Sequence, residues 1–441
     1  MEALTSITST LATSTVAPFD RSSVLWVLIV GIILAFFLAA GLGANDVSNT
    51  FGTSVGSGVV TIVQAYTLAT IFITLGAVLV GWSVTDTMRK GVIDVQDYVS
   101  APHELMLGQL AILGGTAAWL AITTALSMPV STTHAVVGAT LGFSLVLRGT
   151  EGINWDAIYT IIASWFLSPA LSGTISVILY LIVDFAVLRR NHPFECGLRS
   201  LPIFYFVVIS FNVFMATWDG SKRKPSQYKL AFPVLHFDRI PLWGCCILSI
   251  GIGLIAAMLV QFVLKPRLRR RIQASSSIDE IESVRTPSFK TIQLHAPSVS
   301  DDCSESGGII ASFRQFWEWF LPDKDRVDDE KTIQLFGTIQ IFTACFAGFA
   351  IGANDVGNAI APVASLVAIY KDQSAEQKSE APIYVLLYGV FAICCGMWTL
   401  GYRIITTVGT KVTHINPARL APLYSSAASD QARFIVIEAP K

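Results

Sequence analysis

The chain has 441 residues, of which 53% are hydrophobic and only 14% charged, and its mean hydropathy is +0.59. A soluble domain carries roughly 25% charged residues, so a water-soluble globular protein is excluded and an integral membrane protein is indicated. A formal net charge of −1 offers no electrostatic footprint for nucleic acid, and the seven cysteines, several of them in apolar segments (Cys245, Cys246, Cys345, Cys394, Cys395), lack metal-ligand spacing.

Crossing a bilayer takes about 20 apolar residues. Spans are predicted near Val24–Ala40, Val59–Val80, Leu105–Leu126, His134–Leu147, Ala157–Leu188, Leu201–Trp218 and Leu242–Leu264. Two more follow near Ile333–Ile351 and Ile383–Leu400, and the fourth is short for a full crossing. The domain division is therefore an outer tail (1–23), about seven spans holding a first repeat (24–264), a cytoplasmic loop (265–331), the start of a second repeat with about two spans (332–419) and a polar tail (420–441). The loop opens with "KPRLRRR" and carries an aromatic patch, "FRQFWEWF", which reads either as an interfacial amphipathic helix or as a segment packed under the membrane domain. The basic run after the seventh span is the strongest inside signal, and it places the N-terminus outside. Arg21, Arg89–Lys90 and the run at Lys222 disagree with that choice of side.

The first span ends in "GLGANDVSNTFGTSVGSG", Gly41 to Gly58, and the string returns as "GANDVGNAIAPVASL" from Gly352. An ionisable group at membrane depth costs about 2.5 kcal/mol or more, so it marks a functional site by default. An odd number of crossings separates the N-terminus from the loop, so the helices leading into the two strings enter from opposite sides. That pattern predicts inverted-topology repeats, which place substrate near the midplane on broken helices. Gly41, Gly43, Gly52 and Gly56 permit unwinding, and the freed carbonyls with Asn45, Asp46 and Asn49 offer hard oxygen ligands for a small cation such as Na⁺. The alternative is that the glycines only allow close helix packing, since Gly52/Gly56, Gly138/Gly142 and Gly348/Gly352 are small-residue pairs at four-residue spacing.

A second constellation is "SMPVSTTHAVVGATLG", Ser127 to Gly142. Pro129 breaks the helix, and Ser131, Thr132 and Thr133 stand where the next one begins, as plain N-caps or as a neutral donor cradle for an oxyanion. His134 either relays protons or holds the loop by a hydrogen bond.

On these residues the sequence resembles the inorganic phosphate transporter (PiT) family of sodium–phosphate symporters. "GANDVSN", "GANDVGN", "PVSTTH", "TMRKGVIDV" and "YRIITTVGTKVTHINP" carry the likeness, from about Val24 to Arg419. The resemblance implies an all-α polytopic membrane protein with inverted repeats, the second incomplete, acting as a sodium-coupled phosphate symporter at the plasma membrane. It implies phosphate binding by Asp46, Ser131, Thr132, Thr133 and Asp355. Sodium binding would fall to Asn45, Asp46, Asn49, Asn354, Asp355 and Asn358. The expected partners are inorganic phosphate, sodium ions, the lipid bilayer and a second copy in a homodimer, without nucleic acid, cofactor or transition metal. Two places depart from the family pattern: Ile73 stands where members often carry an acidic residue, and after "THINPAR" this chain reads "LAPLYSSAASDQARFIVIEAPK" instead of leading to a second "PVSTTH". The alternative expectation is thus a transport-deficient truncated product. A membrane enzyme acting on phosphate esters has no metal cluster, nucleophile elbow or P-loop to support it.

Overall fold

The computed structural model describes residues 19–81, 84–85, 88–89, 95–151, 153–221, 241–274, 319–320, 329–379 and 381–408. Residues 1–18 of the outer tail, the basic run at Lys222, most of the loop with its aromatic patch up to Glu318, and the polar tail lie outside the described residues.

Each of the nine predicted apolar stretches lies on a helix. Asp20 caps α1 (Arg21–Gly56), and the Ser22 hydroxyl and amide that donate to it hold its carboxyl below the usual carboxylate range. A capping box between Thr61 and Gln64 starts α2 (Ile62–Gly76), which ends in a π-helical turn, Ala77–Gly81. Then come α3 (Pro102–Ala125), α4 (Thr132–Arg148), α5 (Trp155–Val183), α6 (Pro193–Ser221), α7 (Leu242–Leu259), α8 (Glu330–Asp372) and α9 (Ile383–Thr407). Eight of these are long and apolar enough to cross a membrane, whereas α4, with 17 residues, is not among them. Large apolar side chains such as Phe37, Phe166 and Phe262 face outward at 60–76% exposure, as a lipid-facing surface requires.

Helices α3 and α4 form a hairpin. Arg148 at the end of α4 pairs with Glu104 at the start of α3 at 2.7 Å and lies over the ring of Tyr98. The two ends of the hairpin are therefore side by side, and its turn, residues 126–131, points the other way. The main apolar cluster joins α1, α2, α3, α8 and α9 with residues of α4 and α5, while a second cluster gathers α6, α7 and the start of α8.

The sequence predicted helix breaks at both signature strings, and there the structure differs. α1 runs helical through Gly41, Gly43, Asn45, Asp46 and Asn49 to Gly56, and α8 runs through Gly352, Asn354 and Asp355 to Asp372. The reason lies in what the glycines touch. A methyl on Gly43 would collide with the Ile393 carbonyl of α9, and one on Gly352 with the Ile73 carbonyl of α2. The reciprocal glycines behave alike: Gly396 presses on the Ala40 carbonyl and Gly76 on that of Phe349. Two crossed glycine pairs thus bring backbone onto backbone, and this close packing offsets the roughly 0.5–1 kcal/mol each glycine costs inside a helix. The break that does occur is the one predicted at Pro129, where α3 has ended and Ser127 adopts a positive φ of 58°.

Candidate functional site

Helical spacing sets the polar side chains of each string on one face, because residues three and four apart align. On α1 these are Asn45, Asp46 and Asn49; on α8 they are Asn354, Asp355 and Asn358. Asn45 is fully buried and Asp46 nearly so. Such groups persist in a greasy core only when bonded, and the hairpin turn supplies the bonds.

The Asn45 amide is committed at both ends: Nδ2 donates to the Met128 carbonyl at 3.0 Å, and Oδ1 accepts the Val130 N–H at 2.9 Å. Beside it, the Asp46 carboxylate accepts from the Thr132 hydroxyl at 2.9 Å and from Asn49 Nδ2 at 3.2 Å. From the second string, Asn358 Nδ2 donates to the Thr133 hydroxyl oxygen at 3.0 Å. Ser131 caps α4, accepting the His134 N–H at 3.4 Å. The His134 ring stands edge-on to Trp165, 4.1 Å between centroids.

The structure therefore brings Asn45, Asp46, Asn49, Thr132, Thr133 and Asn358 into one connected network around a single turn. Ser131 adjoins it as the cap, and Asn354 and Asp355 lie within one helical turn before Asn358, half-buried. Asn49 is exposed, whereas the carboxylate it donates to is buried. Sequence reasoning missed the commitment of Asn45 to the turn backbone; Pro129, which leaves carbonyls and N–H groups beside it without helical partners, was the available signal. Ile73 is buried, and its carbonyl is the surface on which Gly352 rests.

The arrangement can hold cations at carboxylates and amide oxygens, and an oxyanion at hydroxyls and the start of α4. No cluster of three or more metal-ligating side chains exists among the described residues.

Fold and site together define a multi-pass helical membrane protein in which two copies of a polar signature meet on one hairpin. A family model described as the phosphate transporter family matches residues 42–429, and the chain belongs to that family, a family of transporters rather than enzymes. Similar proteins include sodium-dependent phosphate transporter 1 of Rattus norvegicus, 30% identical over 94% of this chain and 87% of that protein. The human protein of that name is 30% identical over 94% and 88%, and transporter 1-B of Danio rerio 31% over 93% and 86%. A solved structure titled "The sodium-dependent phosphate transporter" is similar at a TM-score of 0.70 and 27% identity, covering 93% of this chain and 85% of that one.

Proposed function

We propose that this chain is a sodium-coupled symporter of inorganic phosphate, acting at the plasma membrane. The observation that carries the reading is the convergence of both signature copies on one turn, through Asp46 to Thr132 and through Asn358 to Thr133. The names of the relatives and of the similar solved structure support it. The alternative of a transport-deficient product is not favoured by a likeness that runs over 94% of the chain.

The roles follow from the chemistry. Asp46 and Asp355 are the carboxylates of the ion site, with Asn49, Asn354 and Asn358 as amide oxygens. Ser131, Thr132 and Thr133 are neutral donors to the phosphate oxygens, and neutral donors suit an anion that must also leave. Asn45 acts by placing the turn, since both ends of its amide are spent. The Thr132 hydroxyl, bonded to Asp46, is the coupling element. Sodium at Asp46 neutralises the carboxylate and takes over its lone pairs, which frees the hydroxyl to turn to phosphate. Phosphate without sodium would face an uncompensated carboxylate, and like charges a few ångströms apart repel strongly at membrane depth.

The crossed glycine pairs support reading 24–264 and 332–419 as a first and second repeat of inverted topology, which rock around a shared site. A homodimer is compatible with this scheme. The test is uptake of ³²P-phosphate into proteoliposomes holding the purified chain. An inward sodium gradient should drive accumulation and choline should not. Equal uptake without sodium would remove the coupling, and no uptake with sodium would remove the symporter reading.

A further inference from the structure

At the end of its apolar run, α7 does not stop. A π-helical turn, Val260–Leu264, leads into further helix through residue 274, and this extension carries Lys265, Arg267, Arg269, Arg270 and Arg271. It lies against the protein, because Leu268 and Ile272 are buried in the cluster that includes Leu335 and Phe336 of α8. Arg269 is spent on Glu195 of α6 at 2.7 Å. Arg271 makes no hydrogen bond or ion pair with another described residue.

Arg271 opens onto a cavity of about 420 Å³, bounded by this extension, the turn that ends α1 and the first turns of α8. Its polar lining is Arg271, Ser57, Gln334 and Thr338, and its apolar walls include Val59 and Ile341. Behind Ser57 stands Gln340, fully buried: it accepts the Ser57 hydroxyl at 3.3 Å on Oε1, and its Nε2 has no partner. The volume falls within the range of small-molecule sites.

We propose that this cavity binds the headgroup of an anionic phospholipid. The depth is right, since the cavity sits where α7 changes from apolar to basic, which is where a bilayer's headgroups lie. The charge is right too: five basic residues directly following a membrane helix attract anionic lipids, and a basic pocket between helices takes their headgroups. The walls decide between the two sources of phosphate. A free phosphate ion has no apolar surface to set against Val59 and Ile341, whereas a glycerophospholipid has a phosphodiester for Arg271 and an apolar body for the walls. An occupant would bridge α7 to the end of α1, eleven residues beyond Asp46, and to the start of α8. It would thereby tie together both helices that carry signatures.

The test uses the purified full chain in detergent and reads its thermal unfolding midpoint against titrations of dioctanoyl phosphatidylserine, dioctanoyl phosphatidylcholine and inorganic phosphate. Phosphatidylserine should raise the midpoint and phosphatidylcholine should not. Arg271→Gln should weaken the phosphatidylserine response about tenfold, and Arg270→Gln, which removes the same charge outside the cavity, about twofold or less. Any midpoint shift from inorganic phosphate should survive Arg271→Gln, because it arises elsewhere. Equal weakening by both variants would reduce the effect to a diffuse basic belt and overturn the pocket. Loss of a phosphate response in Arg271→Gln would assign the cavity to the free ion, and no phosphatidylserine response at all would overturn the proposal outright. None of these outcomes depends on transport, so failure here is separable from failure of the symporter reading.

Discussion

The two signature strings make the same backbone contacts and different side-chain contacts. Gly43 rests on Ile393 and Gly352 on Ile73; Gly396 rests on Ala40 and Gly76 on Phe349. Each partner lies three residues before the crossing glycine of its own helix, so one crossing becomes the other when the repeats are exchanged. The side chains break the correspondence. Asn45 and Asp46 of the first string hold the hairpin turn through Met128, Val130 and Thr132. In the second string Asn354, the counterpart of Asn45, is half-buried, and Asn358, a helical turn later, donates to the hairpin at Thr133. Asn49, the counterpart of Asn358, turns instead to Asp46. The glycines thus build a symmetric frame, and the amides place one hairpin asymmetrically within it.

The comparison breaks most completely at the carboxylates. Asp46→Asn is expected to lower sodium-driven phosphate uptake to background with surface expression retained, and Asp355→Asn to do the same if both strings serve one ion site. Sodium-dependent uptake persisting in Asp355→Asn would make the second string structural only.

The frame itself is tested by adding a methyl group. Gly43→Ala and Gly352→Ala should each lower the melting temperature by similar amounts, because overpacking against backbone costs about 1–3 kcal/mol. Gly138→Ala, with nothing within 4 Å of the new methyl, should be neutral or slightly stabilising. Loss of stability in one signature variant but not the other would show the symmetry to be superficial.

Thr132→Val removes the hydroxyl that ties the hairpin to the first string. A lost hydrogen bond to a charged group is worth about 1.5–3 kcal/mol, roughly ten- to hundred-fold in affinity. The half-saturating phosphate concentration should rise by that factor. Because the same hydroxyl serves Asp46, the sodium dependence should shift with it. A shift in phosphate affinity with sodium dependence unchanged would separate the hydroxyl from the coupling role.

The helices were legible because a long apolar run has few alternatives, and Pro129 announced the hairpin turn. The ends were not. Hydropathy stopped the first span near Ala40, whereas α1 continues sixteen residues to Gly56, since the polar residues beyond are covered by neighbouring helices that no local window can see. The same holds for α8 beyond Ile351. Glycine is equally compatible with unwinding and with a close crossing; the choice depends on Ile393 and Ile73, some 350 and 280 residues away in sequence. The commitment of Asn45 to the turn was hidden for the same reason, whereas the residue types of the site were readable because an Asn-Asp pair repeated at membrane depth has no bland explanation.

The central claim is that the two strings share one hairpin, and the bond between Asn358 and Thr133 joins the second string to it. The most direct measurement is a double-mutant cycle on the half-saturating phosphate concentration with Thr133→Val, Asn358→Ala and the pair together. A shared contact predicts that the double variant is no worse than the worse single one, a coupling of about 1 kcal/mol or roughly fivefold. Single effects that simply multiply in the double variant would contradict it.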